Sequence, residues 1–199
     1  FIPQSGLGVG AWRLYQAETR ETRVTARIQD TIKRIWVIYA SLTGLCILFL
    51  FLAGFDWFDA IAHSFTVVST AGFSTNALSI QAFHNPTAEV ILIIFMILGA
   101  TNFMILLRLF AGKPSALIRN LEWKFMLIII AVFSLIIAGE LFSNTSYSIT
   151  DSFRISIFQT VSIATSTGYT VTDFNVFSPL SKVLITVLMF FGGNLGSTA

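Results

Sequence analysis

The sequence predicts an all-α integral membrane protein in which a unit of spanning helix, short pore helix, glycine turn and spanning helix occurs twice in tandem. Three observations carry that expectation. The chain is 55% hydrophobic with 20 phenylalanines and only 11% charged residues, against about 25% charged in a soluble domain, and its mean hydropathy is +0.79. Long apolar runs of membrane-crossing length alternate with half-length, hydroxyl-containing ones. Two short runs, Ser69–Thr75 (STAGFST) and Thr165–Val171 (TSTGYTV), share a glycine set among hydroxyl residues and followed directly by an aromatic.

Residues 1–31 are mixed and charged and read as a cytoplasmic linker. Arg27, Lys33, Arg34 and Trp36 then introduce the apolar run Ile35–Phe55, which at about 21 residues is long enough to cross a ~30 Å hydrocarbon core. Phe58–Ser69 is about 12 residues, or ~18 Å of helix. It carries His63, Ser64, Thr66 and Ser69, too polar a set for a lipid-facing span. STAGFST and a polar stretch to Pro86 follow; irregular backbone of this kind is tolerated at membrane depth only inside protein or around a water-filled cavity. Ala88–Phe110 reads as a second full span and 112–120 as a short connector. Leu121–Phe142 is a third span, Asp151–Thr165 a second short polar helix, and Pro179–Phe191 opens a fourth long run. Phe1 in place of an initiator methionine, and an end at Ala199 just after a run of glycines, fit a piece of a longer protein.

Charge orients the chain. Ten of the 12 Lys and Arg fall in 13–34 or 108–124, with only Arg154 and Lys182 on the other side, so 1–31 and 112–120 are expected to be cytoplasmic and both glycine turns to enter from outside. Glu89 and Glu140 read as interfacial acids near the outer ends of spans. The single Cys46 excludes a disulfide framework and a cysteine metal site, and no nucleic acid is expected as a partner.

Placing Gly72 on Gly168 also places Thr70 on Ser166, Phe73 on Tyr169, Ser74 on Thr170 and His63 on Gln159, and a slightly shorter outer loop brings Gly99-Ala100 onto Gly192-Gly193. Each unit crosses twice, so the repeat is parallel, and equivalent turns converge on an axis along the membrane normal. Backbone carbonyls gathered in this way replace the hydration shell of a cation. Glycine supplies the positive φ and the close approach, and the C-terminal end of each short helix adds a partial negative charge. Asp56 or Asp59, and Asp151, are placed to cap or favour the starts of those helices. Gly192, Gly193 and Gly196, around Asn194, interrupt the fourth run at mid-membrane depth, which marks a movable constriction under the turns; close helix packing through small residues is the alternative.

The segments AHSFTVVSTAGFSTNALSI (Ala62–Ile80), TSTGYTVTDF (Thr165–Phe174) and FFGGNLGSTA (Phe190–Ala199) resemble the TrkH/KtrB/HKT potassium-transporter family. LYQAE with TARIQDTIKRIW, within Leu14–Trp36, is most similar to the TrkH branch. The resemblance implies four span–pore-helix–span repeats around one central pore, of which 32–111 is similar to the second and 121–199 to the third, cut within its second spanning helix. It implies potassium uptake across the cell membrane, with K+ the transported ion and no covalently bound cofactor. Potassium would sit at the Gly72 and Gly168 turns, against the carbonyls of Thr70, Ala71, Gly72, Phe73, Ser166, Thr167, Gly168 and Tyr169, with Gly192, Gly193, Asn194 and Gly196 as the gate loop. Asn194 and Leu195 depart from the family's more usual GGCAGST. A homodimer in the lipid bilayer with a cytoplasmic TrkA-type nucleotide-binding regulatory subunit is also implied.

Two transport alternatives stand beside this reading, a sodium-permissive KtrB/HKT-like transporter and the potassium-binding subunit of an ATP-driven pump. An intramembrane hydrolase built on His63, Ser64 and Asp59, or on His84, is a third. The chain lacks a GxSxG nucleophile elbow, and no enzyme is expected.

Overall fold

The computed structural model describes residues 9–112, 114–145, 147–193 and 197–198. The α-helices among them are α1 (Val9–Leu52), α2 (Trp57–Val68), α3 (Pro86–Gly99), α4 (Phe103–Phe110), α5 (Ser115–Arg119), α6 (Leu121–Asn144), α7 (Ile149–Ala164) and α8 (Pro179–Leu188). Short 3-10 helices occupy Ser79–Phe83 and Phe174–Val176, and no strand occurs among the described residues. The chain forms two units, Phe1–Ile38 and Tyr39–Ala199, with both glycine turns in the second.

Among the described residues, Gln29–Leu52 and Leu121–Asn144 are the single helices long and apolar enough to cross a membrane, at 24 residues each. The half-length helices also appear. α2 has 12 residues and α7 has 16, or ~18 and ~24 Å. Each start carries an acid in its first turn, Asp59 in α2 and Asp151 in α7, as expected. Asp56 occupies the N-cap of α2 without a side-chain cap bond. In α7 the cap is Ser148, whose Oγ accepts from the Asp151 amide at 3.1 Å and donates to the Asp151 carboxylate at 2.8 Å. Asp151 therefore sits at the third helical position and adds negative charge to the first turn.

The expected continuous span Ala88–Phe110 is two helices. α3 ends at Gly99, α4 begins at Phe103, and the direction turns by 109° between them. The reason is local and polar. Thr101 Oγ1 donates back to the Ile97 carbonyl at 2.7 Å, while Asn102 leaves the helical conformation and caps α4 by accepting from the Met104 amide at 2.8 Å. Such hydrogen bonds offer the backbone an alternative to the helical ladder. The carbonyl of Gly99, freed at a helix end, accepts instead from the amide and hydroxyl of Thr198 at 3.2 and 2.8 Å. α8 repeats the plan. Pro86 and Pro179 each open a helix behind a side-chain cap, Asn85 or Ser178. The last turn after α8 closes with the Phe191 amide on the Leu188 carbonyl, directly before Gly192. The break foreseen only in the fourth run thus occurs at the matching point of the second.

α7 packs along α6, and both contact α8 around a core of Ile137, Leu141, Ile155, Phe177 and Ile185. α2 packs on α3, and α7 also packs on α3, so the two sequence repeats meet there. An ion pair marks that junction: Arg154 of α7 reaches Glu89 of α3 at 3.2 Å and Asp151 at 3.3 Å. The Glu89 side chain is only 7% exposed. At the start of α3, it is a buried acid paired with a cation of the other repeat.

Candidate ion-conduction site

Each glycine turn hangs from one hydroxyl-bearing residue of its pore helix. The Ala71 and Gly72 amides both point at the Thr66 carbonyl, at 2.8 and 3.4 Å, and the Thr167 and Gly168 amides both point at the Ser162 carbonyl, at 2.9 and 3.1 Å. The preceding residues match as well. Ser69 and Thr70 donate to Phe65 and Val67, just as Thr165 and Ser166 donate to Val161 and Ile163. In a planar trans peptide the C=O points opposite to the following N–H. The carbonyls of Thr70, Ala71, Ser166 and Thr167 are therefore turned away from the pore helices.

The backbone adopts this shape at a conformational cost. Gly72 and Gly168 have φ of 69° and 85°, and so in effect do Thr70 and Ser166, at 52° and 58°. Left-handed backbone costs a non-glycine residue about 1–3 kcal/mol and persists only where the surroundings enforce it. Thr70 and Ser166 were expected only as carbonyl donors; their strain was not foreseen.

The two turns face each other. A Cβ added to Gly72 would lie 1.7 Å from the Thr167 carbonyl oxygen, so the second turn aims a carbonyl straight at the first. Gly168 has no described atom within 4 Å of such a Cβ. Of the eight carbonyls singled out by the sequence, those of Thr70, Ala71, Gly72, Ser166, Thr167 and Gly168 accept no hydrogen bond from the described residues. The Tyr169 carbonyl accepts from Ser162 Oγ at 2.7 Å, and the Phe73 carbonyl lies 3.3 Å from the Tyr169 hydroxyl.

Behind the first turn, His63 is fully buried, edge-on to Phe55 and Phe83. Its Nδ1 donates to the Asp59 carbonyl at 2.7 Å. That fixes the tautomer and leaves Nε2 to accept from Ser74 Oγ at 3.0 Å. The Asp59 carboxylate accepts from Thr75 Oγ1 at 2.6 Å. These bonds hold the chain leaving the turn against the start of α2, and they do not assemble His63, Ser64 and Asp59 into a hydrolytic set. His84 lies exposed in the outer loop, just after the 3-10 helix. Thr66 and Ser162 were not singled out from the sequence, although a signal was present: each is a hydroxyl residue six positions before the glycine of its turn.

Of the expected gate residues, Gly192 and Gly193 follow the end of α8 in non-helical backbone. A Cβ at Gly192 would sit 3.8 Å from Ser166 Oγ, which places this loop against the second turn. Asn194 and Gly196 lie outside the described residues. Further along, Thr198 Oγ1 bridges the Val68 and Gly99 carbonyls, at 2.9 and 2.8 Å. The far side of the loop is thereby fastened to the end of the first pore helix.

The family model for TrkH, described as a cation transport protein, matches residues 5–199. This chain belongs to the TrkH family. It is similar to the Trk system potassium uptake protein TrkH of Halomonas elongata, at 35% identity over 199 residues, covering 96% of this chain and 41% of that protein. The Escherichia coli K12 protein of the same name is 35% identical over 202 residues with the same coverage. Among solved structures, the crystal structure of the potassium transporter TrkH from Vibrio parahaemolyticus matches with a TM-score of 0.83 and 36% identity, over 87% of this chain and 38% of that one. The TrkH-family chain described here thus spans about 41% of the length of the curated relatives it matches. Its all-helical, membrane-type architecture agrees with the fold class expected from the sequence.

Proposed function

We propose that this chain supplies two adjacent pore repeats, 32–111 and 121–199, of a potassium-uptake pathway across the cell membrane. The observation that carries the reading is the pairing of consecutive amides onto Thr66 and onto Ser162, which turns free carbonyls outward in both turns. Oxygens arranged in this way are cation ligands. The carbonyls of Thr70, Ala71, Gly72, Ser166, Thr167 and Gly168 are the primary ligands in this reading, and those of Phe73 and Tyr169, already engaged within the protein, are the weaker ones. The relatives named as potassium uptake proteins favour K+ as the ion.

Gly192 and Gly193, with Asn194 and Gly196, form the gate. A cavity of about 320 Å³ lined by Gly192 and Gly193 together with Glu122, Phe125, Met126 and Ile129 gives that part of the loop room to move. Residues 1–31 and 112–120 lie on the cytoplasmic side in this reading, which the distribution of Lys and Arg supports. The working protein is a homodimer with a TrkA-type nucleotide-binding subunit bound to that side, as the family resemblance implies.

The test is rescue of a potassium-uptake-deficient cell at low potassium by the full-length protein. Growth should be restored, and Gly168→Ser should weaken preference for K+ over Na+. Failure of the intact protein to rescue, or unchanged preference in the variant, would remove the filter assignment.

A further inference from the structure

Tyr169 belongs to the second turn, yet its side chain is fully buried against the first pore helix. Its hydroxyl lies against Thr66 Oγ1, 3.3 Å from the Phe73 carbonyl and 3.4 Å from the His63 carbonyl. Its ring centroid is 5.9 Å from that of His63. Thr66 Oγ1 has its own acceptors in the Ala62 and His63 carbonyls, at 3.1 and 3.2 Å. The phenol proton is thus free to go to Thr66 or to Phe73. At the other end, the Tyr169 backbone is held by Ser162 Oγ through its carbonyl.

Thr66 is joined to both turns. Its carbonyl carries the Ala71 and Gly72 amides, and its hydroxyl meets Tyr169. The result is a continuous strap from α7 through Ser162, Tyr169 and Thr66 to α2. We propose that the Thr66–Tyr169 pair sets the separation of the two turns and, through it, discrimination between monovalent cations. Both are positioning residues. On the opposite side the turns already touch, Gly72 against the Thr167 carbonyl, so the strap is what keeps that contact in register. A filter that selects by the spacing and number of its carbonyls responds to a change in the strap even though neither hydroxyl faces the ion.

Adjacent residues of the chain reinforce the geometry. The Thr170 amide donates to Ser79 Oγ at 3.2 Å, and the Gln81 amide donates to the Thr170 carbonyl at 3.2 Å. The chain beyond Tyr169 is therefore also tied to the first repeat through Ser79 and Gln81.

The inference rests on the filter reading above, and the experiment separates the two. Full-length protein is reconstituted in liposomes and K+/Na+ permeability ratios are measured for Tyr169→Phe, Thr66→Val and the double variant, with Gly168→Ala alongside. Each single variant should lower the ratio by about fivefold, and the double variant should go no further than the stronger single, as expected of residues acting through one contact. Thr66→Val keeps the proposal testable if Tyr169→Phe does not fold. An unchanged ratio in both single variants while Gly168→Ala alters it overturns the strap and leaves the filter standing. An unchanged ratio in all of them overturns both. Additive effects in the double variant also overturn the strap, because two independent packing defects would add.

Discussion

Phe73 and Tyr169 occupy the same position in two turns with the same backbone hydrogen bonds, but Phe73 is 75% exposed and Tyr169 is fully buried. The glycines before them differ in the opposite sense. Gly72 is pressed against the Thr167 carbonyl, whereas Gly168 has open space around it among the described residues. Each turn thus has one crowded position and one open one, exchanged between the two. What they share is set within each repeat, by the pore helix and its hydroxyl residue. What separates them is set between repeats, by which face of a turn meets its neighbour.

That contrast can be broken experimentally, most severely at the glycines. Gly72→Ser drives a Cβ into backbone and should abolish potassium uptake by the full-length protein. Gly168→Ser adds mainly the cost of left-handed backbone, about 1–2 kcal/mol, and should leave measurable uptake with a weaker preference for K+. If the two variants are equally impaired, the asymmetry of the turns has no functional weight. At the next position, Tyr169→Ala empties a buried aromatic site and should cost about 3–5 kcal/mol. Phe73→Ala, whose ring the described residues leave largely exposed, should cost less. Midpoints of thermal unfolding in detergent compare the pair, and equal shifts would show that Phe73 is as firmly packed as Tyr169.

A smaller effect is expected at the ion pair between the repeats. Glu89→Gln removes the charge but keeps the shape, and because Arg154 is partly exposed the loss should be about 1 kcal/mol, read as a modest fall in the same midpoint. A fall as large as that of Tyr169→Ala would shift the weight of the junction from the turns to α3 and α7. The mildest change is Gly193→Ala beside the second turn. It should alter potassium flux in liposomes while leaving ion preference intact, and altered preference with normal flux would move the loop from gate to filter.

Much of this was legible because it is local. A half-length run with hydroxyl residues, such as Phe58–Ser69, reads as a short helix, observed at Trp57–Val68, and a glycine among serines and threonines signals a turn; both were correct. The repeat was visible from Gly72 and Gly168, and the matching amide bonds to Thr66 and Ser162 bear it out in atomic detail. The bend after Gly99 was hidden because the residues on both sides are apolar, so hydropathy runs through it unchanged. The cue was the single Asn102, a helix-starting residue that an apolar average overrides. The pairing of Glu89 was not foreseen because its partner Arg154 is 65 residues away, and no local pattern shows such a pairing. The positive φ of Thr70 and Ser166 is invisible in principle, since neither residue type favours it and only the converging amides enforce it.

The burial of Tyr169 has a consequence for how the chain is made. A polypeptide is synthesised from its N-terminus, and its earlier parts order first. The site that receives the Tyr169 ring is built by His63, Thr66 and Phe73, all translated about a hundred residues sooner. The Tyr169 ring can therefore reach its buried seat only on a first repeat that is already in place, while the amide bonds of each turn, to Thr66 and to Ser162, form within its own repeat. Biogenesis of the pair has a direction, with the earlier hairpin serving as the mould for the later one.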